Sequence, residues 1–328
     1  MSTPALDQDT VALPERRSNR PVTLTHRLEY ALVLSLVGLF RLIGLDAASA
    51  LAGGFMGAVG PRLRPLSRRA EDNLRAAFPD WSDAQIRDAT RQVWTNLGRV
   101  GAEFAHLEKF RPFEDGGRVS VDGAQTLRAV NAGNRPAIFV SGHFANWEIM
   151  SIVFHRAGLR YGVVYRAANN PLVDELIINK RGAVMSRWQI PKGKRGGRAL
   201  METLKAGRSL AMLVDQKLND GIAVPFMGRE AMTAPAAARL ALKFRLPIIP
   251  VSIERTGGAR FHVRVHDPLN FTPSGDTGAD VYELTRAINE KLEALIRERP
   301  GEWLWLHRRW PKDAPPTPPA RKAPDGRR

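Results

Sequence analysis

The chain has no cysteine among its 328 residues. Disulfides, thiolate nucleophiles and cysteine-based zinc sites are therefore excluded, while either redox compartment is tolerated. Nor does the N-terminus read as a cleavable signal. The N-terminus opens polar and mixed in charge, and the first apolar run starts only near Tyr30. Long hydrophobic runs are scarce. Residues 30–40 are uncharged, Arg41 interrupts, and 42–45 resume; residues 47–61 are uncharged but rich in Gly and Ala. Neither reaches the roughly 20 apolar residues that a spanning helix needs. Residues 28–45 read as a helix that embeds in, or marginally spans, a bilayer, or else as a buried core helix. No internal repeat is present. Acidic residues are in deficit, 33 Asp and Glu against 49 Lys and Arg, for a net charge of +16. Such a balance needs an anionic partner, and nucleic acid, lipid headgroups and acidic carrier proteins all qualify.

What is present suffices for one large α/β domain with appendages, since 44% of residues are hydrophobic. Residues 1–22 are polar and read as disordered. Residues 23–66 form the candidate membrane-associated helical segment, 67–310 the main domain, and 311–328 a disordered basic, Pro-rich tail. The patch Pro61-Arg62-Leu63-Arg64-Pro65, with Ser67-Arg68-Arg69, suits anionic headgroups or an ordinary solvated turn. Residues 82–108 predict a long helix: Ser82 can cap it, and Ile86, Val93, Trp94, Leu97, Val100 and Phe104 recur at helical spacing. Beyond Gly116-Gly117, short apolar runs at 137–140, 162–165, 210–214 and 248–253 alternate with helical stretches. That pattern argues for a sheet covered by helices. Phe261, Val263 and Val265 alternate with His262, Arg264 and His266, giving a strand with one polar face. A further helix is expected over about 279–297.

The segment Val140-Ser141-Gly142-His143-Phe144-Ala145-Asn146-Trp147-Glu148 carries the most chemistry. An apolar strand ends, a glycine relaxes the backbone, and a helix begins, which is where α/β sheets place reacting groups. His143 in the turn and Glu148 in the first helical turn can meet if Glu148 reaches back. A carboxylate on one imidazole nitrogen fixes the tautomer and raises basicity at the other. The plainer alternative is that His143 caps the helix and Glu148 favours its positive end.

This segment resembles the His-x4-Asp/Glu motif of the glycerolipid acyltransferase superfamily. The chain is more closely similar to the late acyltransferases of lipid A biosynthesis, the lauroyl/myristoyl transferase family. The resemblance runs from about residue 25 to 310. It includes Asn73-Leu74-Arg75-Ala76-Ala77-Phe78-Pro79, Trp94-Thr95-Asn96-Leu97-Gly98-Arg99 and Tyr165-Arg166 with Asn169-Asn170-Pro171. Asp215-Gln216, Val224-Pro225-Phe226-Met227-Gly228 and Trp303-Leu304-Trp305-Leu306-His307-Arg308-Arg309-Trp310 complete it. The Phe-Pro-Glu-Gly block of the glycerophosphate branch is absent, which favours the lipid A branch.

The resemblance implies a mixed sheet flanked by helices, with an N-terminal hydrophobic membrane-associated helix. It implies a catalytic dyad of His143 and Glu148, with Arg166 and Asp215 near it and Asn146 and Asn170 as further substrate-binding or supporting positions. Arg166 would supply charge or hold an acceptor phosphate; otherwise it makes an ion pair with Asp174 or Glu175. Asp215 would support the dyad or bind the acceptor, or is a plain turn residue. The donor would be a thioester on acyl carrier protein, the acceptor a lipid hydroxyl, and the place the cytoplasmic face of a bacterial inner membrane. No cofactor and no metal are implied. Lys192, Lys194, Arg195 and Arg198 would dock the acidic carrier or form a solvated loop. The segment 303–310 would pack the end of the domain, with His307 structural or headgroup-facing.

Other classes fit less well. Nucleic-acid binding would use the charge, but the arginines are spread out and no nucleic-acid module is recognisable. A metallohydrolase built on His262 and His266 has no obvious third ligand. A lysophospholipid or other glycolipid acyltransferase with the same dyad is the alternative within the enzyme class.

Overall fold

The computed structural model describes residues 21–133 and 135–311, and for Lys194 and Arg195 the backbone alone. The disorder expected for 1–22 and 311–328 thus falls almost wholly outside the described residues.

Four helices come first: α1 (Leu24–Ile43), α2 (Leu45–Val59), α3 (Arg64–Ala77) and α4 (Asp83–Glu103). Then follow β1 (Val119–Asp122), α5 (Ala124–Ala132), β2 (Ile138–Ser141), α6 (Glu148–Arg156), β3 (Tyr161–Tyr165), α7 (Pro171–Gly182), β4 (Gln189–Pro191), α8 (Lys194–Lys205) and β5 (Ser209–Leu213). The chain closes with β6 (Lys217–Phe226), β7 (Arg229–Thr233), α9 (Ala236–Phe244), β8 (Ile248–Gly257), β9 (Arg260–Val265) and α10 (Thr277–Glu298). Seven strands form one sheet in the order β1-β9-β8-β2-β5-β3-β4, and β6 pairs with β7 alone. Neighbours in the large sheet run parallel except β8 and β9, which form a hairpin. The expected mixed α/β architecture is present.

Local sequence accounts for these elements. Ser82 accepts from the Gln85 amide while the Gln85 side chain accepts from the Ser82 amide, a capping box that starts α4. Ile86, Ala89, Val93 and Trp94 then form its buried face. In β2 all four residues are buried, as expected of a parallel strand covered on both faces. Ile138 and Val140 join the core beneath α3, α4, α9 and α10, while Phe139 joins the one beneath α5 and α6. The predicted alternation in β9 is observed: Phe261, Val263 and Val265 are buried.

The N-terminal helix differs from two of its three sequence readings. α1 has no buried residue, so it is not a core helix. Nor is any helix among the described residues long and apolar enough to cross a membrane, so spanning has no support. α1 instead packs a half-buried stripe of Tyr30, Val33, Val37 and Phe40 against the protein, with polar contacts beside it. Arg41 donates to the Ala105 carbonyl at 2.8 Å, and Asn170 donates to the His26 carbonyl and the Glu29 carboxylate at 2.8 and 2.9 Å. Leu28, Leu32 and Leu42 are 65%, 62% and 84% exposed on the other side. α2 is seated on α4 by small residues. A Cβ on Gly98 would lie 2.3 Å from the Ala52 carbonyl oxygen.

Candidate active site

Register decides which side chains meet. Ser141 of β2 is paired with Leu213 of β5, and the Val214 amide donates to the Ser141 carbonyl at 3.0 Å. His143 and Asp215 each lie two residues beyond that pair, at the carboxyl ends of adjacent parallel strands. Their side chains meet there: Nδ1 of His143 is 2.8 Å from Oδ1 of Asp215. Oδ2 of the same carboxylate accepts from the His143 backbone amide and from the Trp303 indole, both at 2.7 Å. Gly142 has no room for a side chain, since a Cβ would lie 3.1 Å from Oδ2 of Asp215 and 2.9 Å from the Phe144 ring.

Asp215 is buried. Burial alone would raise its pKa, but the imidazole of His143, its two hydrogen bonds and the Trp303 indole outweigh this. Together they hold the carboxyl well below the usual carboxylate range. Because a carboxylate only accepts, Nδ1 of His143 carries the proton and Nε2 presents its lone pair. Nε2 lies 3.3 Å from the Gln216 side-chain nitrogen, which is also 3.1 Å from Nε2 of His307. Burial and then the neighbouring His143 lower the His307 pKa, with Arg166 and Arg69 acting the same way against Asp215. His307 is therefore neutral near pH 7, and one amide donates to two imidazole lone pairs.

The expected contact between His143 and Glu148 is not formed. Glu148 is the first residue of α6 and turns to α7, where Nε and the second terminal nitrogen of Arg181 both donate to it, the former at 2.9 Å. Both partners are mostly shielded, at 6% and 16% side-chain exposure. A carboxylate buried beside a guanidinium is committed to it, and Asp215 occupies the place on the imidazole that Glu148 was expected to take. Asn146 is fully buried, donating to Glu103 at 2.9 Å and accepting from the Glu148 amide at 3.2 Å. Asn170 caps α7 and holds α1, accepting from the Leu172 amide at 3.0 Å. Neither asparagine faces the His143 cavity. Arg166 does, and it makes no ion pair with Asp174 or Glu175. Asp174 instead accepts from the Ala168 amide at 2.7 Å.

Two recurrent segments prove to be scaffolding for this loop. Asn96 donates to the Ala145 carbonyl at 2.9 Å, and the Ala145 amide donates to the Glu302 carbonyl at 2.9 Å. These bonds hold Ala145 at φ 40°, the left-handed region that non-glycine residues rarely adopt. Trp303, Trp305 and Trp310 are buried, so the 303–310 segment packs the end of the domain. Sequence reasoning gave Gln216, Trp303 and Arg181 no role in the site, and Arg181 was not singled out at all.

His143 opens onto a cavity of about 160 Å³ between α6, β3 and β5. Trp147, Met150, Val163, Ala211 and Leu213 give it apolar walls, Arg166 and Lys192 add positive charge, and the Glu148–Arg181 ion pair also lines it. A larger groove of about 1120 Å³ opens near the start of β8, at the opposite end of the strands from His143. It has no histidine, and its carboxylate, Asp280, is taken by Ser274 and Gly275. Among the described residues no cluster of three or more metal-ligating side chains is present.

A histidine oriented by a buried carboxylate, facing an apolar slot, is suited to take a proton from a hydroxyl. The sequence profile described as "Bacterial lipid A biosynthesis acyltransferase" matches residues 20–312. The chain belongs to this family. It is an acyltransferase. Among its relatives, the lipid A biosynthesis lauroyltransferase of Escherichia coli is 26% identical over 267 residues, covering 79% of this chain and 84% of the relative. The lipid A biosynthesis myristoyltransferase of the same organism is 23% identical, covering 80% and 79%. The phosphatidylinositol mannoside acyltransferase of Mycolicibacterium smegmatis is 25% identical, covering 63% and 68%.

Proposed function

We propose that this acyltransferase moves a fatty-acyl chain from an acyl carrier protein thioester onto a hydroxyl of a lipid A precursor. His143 acts as general base and Asp215 orients it. The observation that carries the mechanism is the 2.8 Å contact between Nδ1 of His143 and Asp215, which leaves Nε2 free as an acceptor. The acceptor hydroxyl displaces the long contact from Gln216 and gives its proton to Nε2 as its oxygen attacks the thioester carbonyl. The carbon–sulfur bond then breaks, and the thiolate takes the proton back from Nε2. No nucleophilic serine or cysteine is needed. The choice of acceptor follows the lipid A enzymes among the relatives, and the apolar walls of the cavity suit an acyl chain.

The same reading places the protein at a membrane surface, on the cytoplasmic face of a bacterial inner membrane where carrier-bound chains are made. α1 packs Tyr30, Val33, Val37 and Phe40 toward the body and exposes Leu28, Leu32, Leu39 and Leu42 on its other side, an arrangement that suits a helix lying in a bilayer interface. The fold puts α1 beside the site, because Asn170 ties it to the loop that follows Arg166.

The test is acyl transfer by the full chain from carrier-bound donors of several lengths to a tetra-acylated lipid A precursor and to a lysophospholipid. Transfer to the precursor is expected. Transfer only to the lysophospholipid would establish the alternative, a lysolipid or other glycolipid acyltransferase. The mycobacterial relative, named for a phosphatidylinositol mannoside, keeps that alternative in view.

A further inference from the structure

We infer that Arg99, flanked by Arg91 and Arg255, is the centre of a phosphate-binding site behind the loop that carries His143. The site is a pocket of about 350 Å³ between α4 and the short helix Pro300–Glu302, and it shares no lining residue with the His143 cavity. It backs onto the loop, since Asn96 on its wall donates to the Ala145 carbonyl and the Glu302 carbonyl accepts from the Ala145 amide. α4 supplies the charge by its spacing. Arg91, Thr95 and Arg99 follow at intervals of four, so they share one face of the helix. That face lies against the glycines of α2. A Cβ on Gly53 would lie 2.7 Å from Cγ of Arg99 and 3.1 Å from its Nε. Glycine is a poor helix residue, but here it gives the Arg99 stem room to pass α2 and reach the pocket.

The carboxylates nearby do not neutralise Arg99. Glu103 is fully buried, and it accepts from Ser49 at 2.7 Å, from Asn146 at 2.9 Å and from both terminal nitrogens of Arg255. Arg99 reaches that carboxylate only through the Ser49 hydroxyl, to which it donates at 3.1 Å, and it makes no ion pair among the described residues. Glu302 accepts from the Arg255 amide at 2.9 Å and faces Arg299 at 3.5 Å. The pKa of Arg99 is lowered first by burial and then by the Arg255 charge, and Glu103 offsets less than either. A half-buried cation thus stands in the pocket without a counterion. Arg255 adds charge but no free donor, because Asn96, Glu103 and the Gly258 carbonyl take all of its N–H groups. Arg91 adds charge at the exposed rim, where it meets Asp88 at 2.7 Å. A guanidinium fork of this kind matches two oxygens of a phosphate.

The phosphate has two sources: the headgroup of a membrane phospholipid, or a free phosphate. Leu51 and Phe55, two residues either side of Gly53, are exposed on α2, so a lipid surface against that helix would bring headgroups toward the pocket. Calorimetric titration of the full chain in uncharged detergent tests the site, with inorganic phosphate, with glycerophosphoglycerol as the headgroup of an anionic phospholipid, and with glycerol as the uncharged control. Saturable binding of at least one of the two phosphates is expected, and none of glycerol. Arg99→Gln should weaken that binding at least tenfold, and Arg91→Gln about threefold. Arg91 is exposed, so its variant carries the test should Arg99→Gln fail to fold. Arg166→Gln, in the separate His143 cavity, should retain the binding. Glycerophosphoglycerol binding as tightly as phosphate would name the lipid headgroup, and binding of inorganic phosphate alone would name the free anion. No saturable binding would overturn the site. So would binding that Arg99→Gln and Arg91→Gln leave within twofold of wild type, or that is lost in Arg166→Gln instead. The titration needs no turnover, so its failure would leave the acyl-transfer reading standing.

Discussion

Replacing Asp215 with Asn separates the geometry of the site from its chemistry. The carboxylate accepts three hydrogen bonds, two at Oδ2 from fixed donors and one at Oδ1 from His143 Nδ1. In Asp215→Asn the amide oxygen must stay at the Oδ2 position, because the backbone amide and the Trp303 indole can only donate. The new NH2 then faces Nδ1 and forces the proton onto Nε2. His143 would be in place but in the wrong tautomer, with no lone pair for the acceptor hydroxyl. General-base assistance is worth about 10² to 10⁴ in rate, so kcat should fall about 10³-fold, or about 4 kcal/mol. Glu148→Gln perturbs a different thing. It leaves a guanidinium with an uncharged partner in a shielded site, which should cost about 3 kcal/mol of stability and lower kcat by a smaller factor than Asp215→Asn. The assay is kcat from carrier-bound donor at saturating acceptor, with Tm measured on each variant. A folded Asp215→Asn protein within threefold of wild type would refute the reasoning. So would a Glu148→Gln protein of unchanged Tm that lost more kcat than Asp215→Asn.

Four further outcomes follow from the same structure. Gln216→Leu should lower kcat less than tenfold, because the amide must leave Nε2 before the hydroxyl binds; a loss as large as that of Asp215→Asn would give Gln216 a direct role. The His266 pKa is pushed down to about 4 by burial and by Lys291 and Arg264, so the folded protein resists its protonation. Its contribution is intact above the unfolded value near 6.5 and is lost as pH falls toward 4, at most about 3 kcal/mol before solvent screening; His266→Gln should flatten Tm against pH across that window. Gly98→Ala should push α2 away from α4 and cost about 1 to 3 kcal/mol, read as a lower Tm. Leu32→Asp with Leu39→Asp should weaken binding to anionic vesicles by about 100-fold or more, since each leucine buried in lipid contributes roughly 1.5 to 3 kcal/mol; unchanged partitioning would remove α1 from the membrane surface.

The fold was largely legible in the sequence because its signals are local. Ser82 and Gln85 start α4 within one turn, and the apolar runs that became β2, β3, β5 and β8 carry their own length and punctuation. The site was legible as a set of residues but not as a set of contacts. His143 and Asp215 were both candidates, yet they are 72 positions apart, and only the pairing of β2 with β5 shows that they end at the same height. Glu148 stands five positions from His143 in the chain, so proximity in sequence favoured it. Its actual partner, Arg181, lies 33 positions on and in no motif. His307 reads from sequence as structural or headgroup-facing, because nothing in its neighbours says that the 303–310 segment returns to the end of β5. α1 misled for another reason. Its leucines do form a stripe, but periodicity cannot say whether a stripe faces a core or a lipid, and the contacts of Arg41 and Asn170 settle which side faces the protein.

The central claim is that Asp215 holds His143 with Nδ1 protonated and Nε2 free. Nitrogen-15 NMR of the histidine-labelled protein near pH 7.5 tests it directly, with the His143 signals assigned by their loss in His143→Gln. The account predicts a protonated Nδ1 and an unprotonated Nε2, with the tautomer reversed in Asp215→Asn. A proton on Nε2 in the wild type, or a tautomer that ignores Asp215 and follows Glu148→Gln instead, would contradict it.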